Sequence, residues 1–347
     1  MLYIVLTILY NKSLTISCIP FFISMSPQLP IKKQSVIICC EGGILMAGFG
    51  CRRPLHNREL ADDFAQKVLG INKKLDKAAT KIVNAELQLA QLEAAPTDTH
   101  QQYRSRSYRD DLTRQELHAR ILRELIGVDR IDSDDNIKLG RGGARPHEPK
   151  SDSQAYIVSG PPASGKSTVA NRLADANGAY VLDSDYAKRK FPEYLQYMGG
   201  ASLVHKEADK LVFGPENSLF EYCVYSKHNV VIPLVGRTYK SVNEICSRLI
   251  NEGYNVHIIN VALDRYECTR RAYRRFIATS RYVPLSYVFD EVGNEPERIY
   301  FQLKRNCLGH EGFASFSQLS TDVEPGKPAR ILEATELSPV LTLFWRE

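Results

Sequence analysis

The chain has 347 residues, 44% of them hydrophobic, which is enough for one large domain or two smaller ones around a real core. A formal net charge of +5 arises from 45 Lys and Arg scattered among 40 Asp and Glu, with no continuous basic block, so nucleic acid is not expected as a partner. Eight cysteines without a C-x-x-C pair or regular spacing argue against a disulfide framework and a zinc site, and fit a reduced, cytoplasmic compartment.

Residues 1–45 are apolar and irregular. "MLYIVLTILY" and "LTISCIPFFISM" are split by Asn11 and Lys12, and neither reaches the roughly 18 to 20 residues that span a bilayer, so no stable membrane insertion is expected. No basic region precedes the first run, which argues against a secretory signal. Glu41, Gly42 and Gly43 imply a purine-rich stretch of message just upstream of Met46, in the manner of a bacterial ribosome-binding site, and translation is expected to start at Met46. Cys39, Cys40 and Cys51 read as ordinary thiols.

Residues 46–128 read as a helical region. From Glu59 to about Ala95 there is no proline, and Leu60, Phe64, Val68, Ile71, Leu75, Ile82 and Leu87 recur mostly at three- and four-residue steps. This predicts an amphipathic helix or helical pair, with Gly70 as a break. A polar connector runs from Ala95 to Asp111, and a second helix follows, with Thr113 and Glu116 spaced as a capping box. Residues 129–154 are loaded with Asp, Gly, Pro and Lys and lack apolar periodicity, so they read as a linker or mobile loop.

Residues 155–347 change pattern. Strands are expected at "AYIVS" from Ala155, "AYVLD" from Ala179, "NVVIP" from Asn229 and "NVHIINVAL" from Asn255. Helices are expected from about Gly165 to Asp175, Leu203 to Ser226 and Ser241 to Glu252, and "ARILEAT" and "VLTLFW" would add edge strands. Such alternation predicts an α/β fold, a parallel sheet covered by helices on both faces.

The stretch Gly160, Pro161, Pro162, Ala163, Ser164, Gly165, Lys166, Ser167, Thr168 satisfies G-x-x-x-x-G-K-[ST] between a predicted strand and a predicted helix. Its backbone N–H groups and the positive helix end would cradle the phosphates of ATP, Lys166 would bridge the β- and γ-phosphates, and the Ser167 hydroxyl would hold Mg²⁺. A plain Gly/Ser turn before a helix is the competing reading. The third strand ends in Pro233 where a switch or motor ATPase would carry an acid, which weakens those readings.

Asp183 and Asp185 follow the second strand, at the end of the sheet where ligands bind. Asp185 is favoured as the base for a substrate hydroxyl; Asp183 contacts substrate or merely caps the next helix. Arg270, Arg271, Arg274 and Arg275 fall within six residues, with Arg281 close behind. Guanidinium forks there would stabilise a migrating phosphoryl group, against a solvated basic face that accounts for two of the clustered four.

The segments "GPPASGKST", "LDSDYAKRKFPEY", "NVVIPLVGR" and "RFIATSRYVP", in this order, resemble the zeta toxins, P-loop kinases of bacterial toxin–antitoxin systems, from roughly Ala155 to Asp290. The resemblance implies transfer of the ATP γ-phosphate to a hydroxyl of a sugar nucleotide, typically the 3′-OH of the aminosugar in UDP-N-acetylglucosamine, and an antitoxin protein as partner. By position, Lys166 and Ser167 match the ATP and Mg²⁺ contacts, Asp185 the base, Arg275 (or Arg274) and Arg281 the phosphate-contacting arginines, and Arg237 the "GR" after the third strand. Two departures stand out: Pro233 replaces an acid on the acceptor side, and Ala163 replaces a glycine in the phosphate loop. The N-terminal helices lie outside the resemblance and, on a flexible tether, would restrain the kinase by covering its ATP cleft. A kinase for another small molecule or for a nucleotide or polynucleotide hydroxyl, and a non-catalytic ATP-dependent binding module, are the alternatives.

Overall fold

Six strands form one sheet in the order β2-β3-β1-β4-β5-β6, where β1 is Gln154–Ser159, β2 Tyr180–Val181, β3 Val230–Leu234, β4 Asn255–Ala262, β5 Phe313–Ser320 and β6 Arg330–Ala334. This computed structural model describes residues 52–93, 96–324 and 326–344, so the apolar start, Met46, Cys39, Cys40 and Cys51 lie outside the described residues. All neighbours pair in parallel except β5 and β6, which are antiparallel. The central strands are near-continuous apolar runs, as a sheet covered on both faces requires.

Thirteen α-helices are described: α1 Arg58–Lys67, α2 Leu75–Glu93, α3 Asp111–Gly127, α4 Lys166–Asn177, α5 Ser184–Lys188, α6 Glu193–Gln196, α7 Gly200–Leu203, α8 His205–Phe213, α9 Leu219–Tyr225, α10 Tyr239–Asn251, α11 Arg265–Thr279, α12 Glu295–Cys307 and α13 Val340–Leu343. The first predicted helical stretch is a pair, broken around Gly70, whose φ is +71°. Helix α3 starts earlier than the Thr113/Glu116 box suggests, because the Asp110 carboxylate accepts from Thr113 N at 2.9 Å and caps it. The single helix expected from Leu203 to Ser226 is divided, since Pro215 lacks a donor and disfavours helix at Gly214. "VLTLFW" is not an edge strand; Val340–Leu343 makes one helical turn after Pro339.

Strand β5 has no counterpart among the predicted strands. Its buried Ser315, Ser317 and Gln318 hide the apolar signal. They are satisfied laterally: Ser315 Oγ lies 2.7 Å from His257 Nδ1, and Gln318 donates to Glu297 at 2.9 Å.

Residues 129–154 are not a mobile linker. Ala144 N donates to Leu125 O at 3.0 Å, Val181 N to Ala144 O at 3.1 Å, and Asn229 N to Lys150 O at 2.8 Å, so the segment is bonded along the β2 edge. Ile137 and Ala144 are buried in the main core. At Gly143 a Cβ would sit 1.9 Å from Val128 O, so only glycine lets the chain approach that closely. Backbone hydrogen bonds replace a periodic apolar face, which is why composition alone misreads the stretch.

Residues 48–347 form one compact unit, so the N-terminal helices belong to the same body as the sheet. Phe64, Ile82 and Leu89 of α1 and α2 share a second core with Cys268, Ala272 and Phe276 of α11 and with Leu285, Val288 and Phe289. Full burial of each large side chain contributes about 1.5–3 kcal/mol. Arg53 closes this core with a two-pronged bond to Asp290, at 2.7 and 2.9 Å.

Helix α3 is fastened differently. The Arg114 guanidinium, 2% exposed, donates to Glu207 at 2.8 and 2.9 Å and to Glu193 at 2.9 Å, and stacks on Phe191. Thr97 and His118 also bond Glu207, and Ser105 N donates to Glu193 at 2.7 Å. Removing one partner strands a buried charge, so Arg114→Ala is expected to cost about 3–5 kcal/mol in chemical denaturation. Burial pushes the Glu207 carboxyl up, but His118 and Arg114 outweigh it and hold it down at about 2, against an ordinary 4.5. Its contribution is therefore complete above pH 4.5 and is lost as pH falls toward 2; Glu207→Gln is expected to flatten that acid limb in denaturation midpoints measured across the same range.

Candidate active site

The phosphate loop leaves β1 at its carboxyl end, between β3 and β4, where strand order reverses and an open sheet binds its ligands. A Cβ at Gly160 would stand 2.6 Å from Val261 O, so the loop's close approach to β4 needs a glycine there. Ala163 adopts φ +62°, the left-handed region a glycine enters without strain. The loop is tied to the end of β5, where Thr321 Oγ1 donates to Ser164 O at 2.6 Å. Helix α4 begins at Lys166, aiming its positive end at the loop.

Lys166 Nζ donates to Pro161 O at 2.6 Å, folded back on its own loop. Burial pushes this ammonium down to about 8, with Asp183 and Asp185 opposing and Arg275 adding to the effect. Asp183 caps α5, accepting from Asp185 N at 2.8 Å, so the structure realises the capping role. Burial and the neighbouring Asp185 charge raise its pKa. Asp185 sits in the first turn of α5 and accepts from Lys188 Nζ at 2.8 Å, with Arg281 3.9 Å away. Burial works to protonate it, but Lys188, Arg189 and Arg281 hold it below the usual carboxylate range.

Two cavities flank α11. The larger, about 1310 Å³, is lined by Asp185, Lys188, Arg189, Arg275 and Arg281, among others. The smaller, about 520 Å³, touches the phosphate loop at Gly165 and Thr168, and its lining includes Arg271 and Arg274. The helix thus divides its arginines: Arg275 faces the Asp185 side, while Arg271 donates to Thr321 O at 3.0 Å and Arg274 to Glu267 at 2.8 Å on the other. Arg274 is therefore on the phosphate-loop side and not among the residues around Asp185. Arg237 lines neither cavity and pairs with Glu291, which lines the larger.

Three residues of the site escaped the sequence reading. Lys188, three positions after Asp185, shares its helix face, a spacing that could have identified it. Arg189 follows it. Asp135 accepts from Arg281 at 2.5 Å and from Arg189 at 3.4 Å, yet it comes from the stretch that reads as a linker and carries no local signal.

The residues present fit a bound polyphosphate. Arg275 Nε and Ser164 Oγ are buried with no hydrogen-bond partner among the described residues, and the loop runs into the N-terminus of α4, whose first backbone N–H groups are a ready anion site. Among the described residues no group of three His, Cys, Asp or Glu is placed to hold a metal ion. Mg²⁺ in such sites takes one or two protein ligands, phosphates and waters, and the exposed Ser167 hydroxyl at the start of α4 is suited to be one. No described helix is long and apolar enough to cross a membrane.

The zeta-toxin family model matches residues 142–308, which bears out the resemblance and extends it on both sides. No curated protein matches the chain. Among solved structures, a chain from the PezAT chromosomal toxin–antitoxin system of Streptococcus pneumoniae is similar at 18% identity and a TM-score of 0.42, over 69% of this chain and 88% of that one.

Two substitutions separate binding from chemistry. Lys166→Ala is expected to weaken a fluorescent ATP analogue by about 1.5–3 kcal/mol, roughly ten- to hundredfold in Kd, through loss of a charged hydrogen bond. Asp185→Asn is expected to keep that affinity and lower phosphate transfer by about 10²–10⁴-fold in a labelled-ATP assay.

Proposed function

We propose, with the zeta-toxin match over residues 142–308 as premise, that this protein is an ATP- and Mg²⁺-dependent phosphotransferase. It moves the γ-phosphate of ATP to a hydroxyl of a small anionic acceptor, a UDP-aminosugar such as UDP-N-acetylglucosamine. The observation that carries this reading is the position of Asp185: it opens onto the larger cavity while sharing an electrostatic neighbourhood with Lys166 of the phosphate loop and with Arg275.

The triphosphate lies along the loop amides at the start of α4, and Lys166 swings from Pro161 O onto the β- and γ-phosphates. Its ammonium regains a charged partner as it does so. Ser167 would hold Mg²⁺ in part, and the ion would supply charge neutralisation to the phosphates when bound. Arg275 and Arg281 converge from the acceptor side and stabilise charge on the migrating group. Asp185 is kept ionised by its cationic neighbours, so its first task is to accept a hydrogen bond from the acceptor hydroxyl and align it. A carboxylate this weakly basic takes the proton late, once bonding to phosphorus has made the hydroxyl acidic.

An antitoxin that restrains the enzyme and a cytoplasmic setting belong to the same proposal. Opposite Val158, Pro233 has outrun β2, which ends at Val181, so its missing N–H breaks no ladder, and it lines neither cavity.

Incubation with Mg-ATP and a panel of UDP-sugars, followed by phosphorus NMR, tests the proposal. A new phosphomonoester resonance with an aminosugar nucleotide is the expected result; ATP that binds but is never consumed with any acceptor would identify a non-catalytic module instead.

A further inference from the structure

The family match begins at residue 142, yet the larger cavity is also lined by Arg52, Leu89, Pro96, Thr99, His100 and Asp135, all ahead of it. By contrast, among the described residues none of those lining the smaller, phosphate-loop cavity precedes Gly165. The N-terminal region therefore does not cover the nucleotide side. It walls the acceptor side.

This wall is built in. Thr97 N donates to Leu203 O at 3.0 Å, Arg104 Nε donates to Thr97 O at 2.7 Å, and the Thr97 hydroxyl joins the buried Arg114–Glu207 pair, so residues 96–100 are clamped between α3 and the α7–α8 junction. Leu89 is held by the second core, which α2 shares with the arginine-bearing helix α11. Asp135 is fixed by Arg189 and Arg281. A restraining cover must lift, whereas each of these attachments is buried or multiply bonded. The volume of this open cavity, about 1310 Å³, exceeds the roughly 300–1,000 Å³ of common small-molecule sites and is far more than one sugar hydroxyl needs. Six Arg and Lys side chains against three carboxylates in the lining favour an anionic occupant.

We propose that Arg52, Leu89, Pro96, Thr99, His100 and Asp135 form an outer wall of the acceptor site and help to select a nucleotide-sized anionic acceptor, so part of the enzyme's specificity resides outside its family domain. This rests on the reading of the Asp185 cavity as the acceptor site. It assigns the N-terminal helices to substrate binding and not to restraint.

The full chain with Thr99→Trp tests this, because Thr99 is exposed at the cavity wall while its neighbour Thr97 carries the anchoring bonds. Thr99→Gln serves should tryptophan disturb the loop, and Leu112→Trp puts equal bulk on the exposed face of α3. Transfer of label from γ-³²P-ATP into the small-molecule fraction of a bacterial extract reads the reaction whichever acceptor takes the phosphate. Thr99→Trp is expected to raise the amount of extract giving half-maximal transfer at least tenfold, and Thr99→Gln at least threefold, with the KM for ATP unchanged and Leu112→Trp equal to wild type. Thr99 variants that match wild type, or exceed it as a restraint would require, overturn the inference and leave the kinase reading intact. A wild type that transfers nothing into any extract overturns both.

Discussion

A guanidinium buried between two carboxylates governs how this molecule is joined. Arg114 enters the interior with Glu193 and Glu207 because no water is there to replace either partner, so α3, α6 and α8 have one mutual arrangement that leaves no charge stranded. Thr97, His118 and the backbone of Ser105 add further bonds to the two carboxylates, and the connector that follows α2 is thereby fastened to the helices beside the larger cavity. An apolar core tolerates several arrangements of about equal energy; a bonded ionic cluster tolerates few.

Helix α11 organises the chemistry around that frame. Its apolar face is shared with α1 and α2, which leaves its arginines to the two sides, Arg275 toward Asp185 and Arg271 and Arg274 toward the loop after β5. Positive charge thus stands on both sides of the helix, and Asp185 and Arg275 both act on the Lys166 ammonium. Asp185, Asp135 and Glu267 neutralise part of it, accepting from Lys188, Arg281 and Arg274 in turn. Cationic side chains fixed by such contacts favour an anionic occupant.

Legibility in the sequence followed the range of the interactions. The phosphate loop, the apolar strands β1, β3 and β4 and the break between α1 and α2 are written in neighbouring residues, because a glycine turn, an apolar run and a helical face each need only local spacing. Asp185 was legible for the same reason, as a carboxylate at the end of a strand. Strand β5 was not, since its buried Ser and Gln side chains are satisfied by partners 58 and 21 residues away. Residues 129–154 were misread because their order comes from backbone bonds to the β2 edge, which leave no mark on composition.

By itself, the sequence determined that a phosphate-binding loop opens a helix, that an acid waits at the next strand's end, and that arginines cluster downstream. Only the tertiary structure decided which arginine faces which side, that Lys188 and Asp135 join Asp185, and that Arg52, Leu89, Pro96, Thr99 and His100 wall the larger cavity and not the smaller one. A motif is a local constraint on backbone and side chain, whereas a cavity is defined by surfaces that meet only when segments distant in the chain bury charge and apolar area against one another.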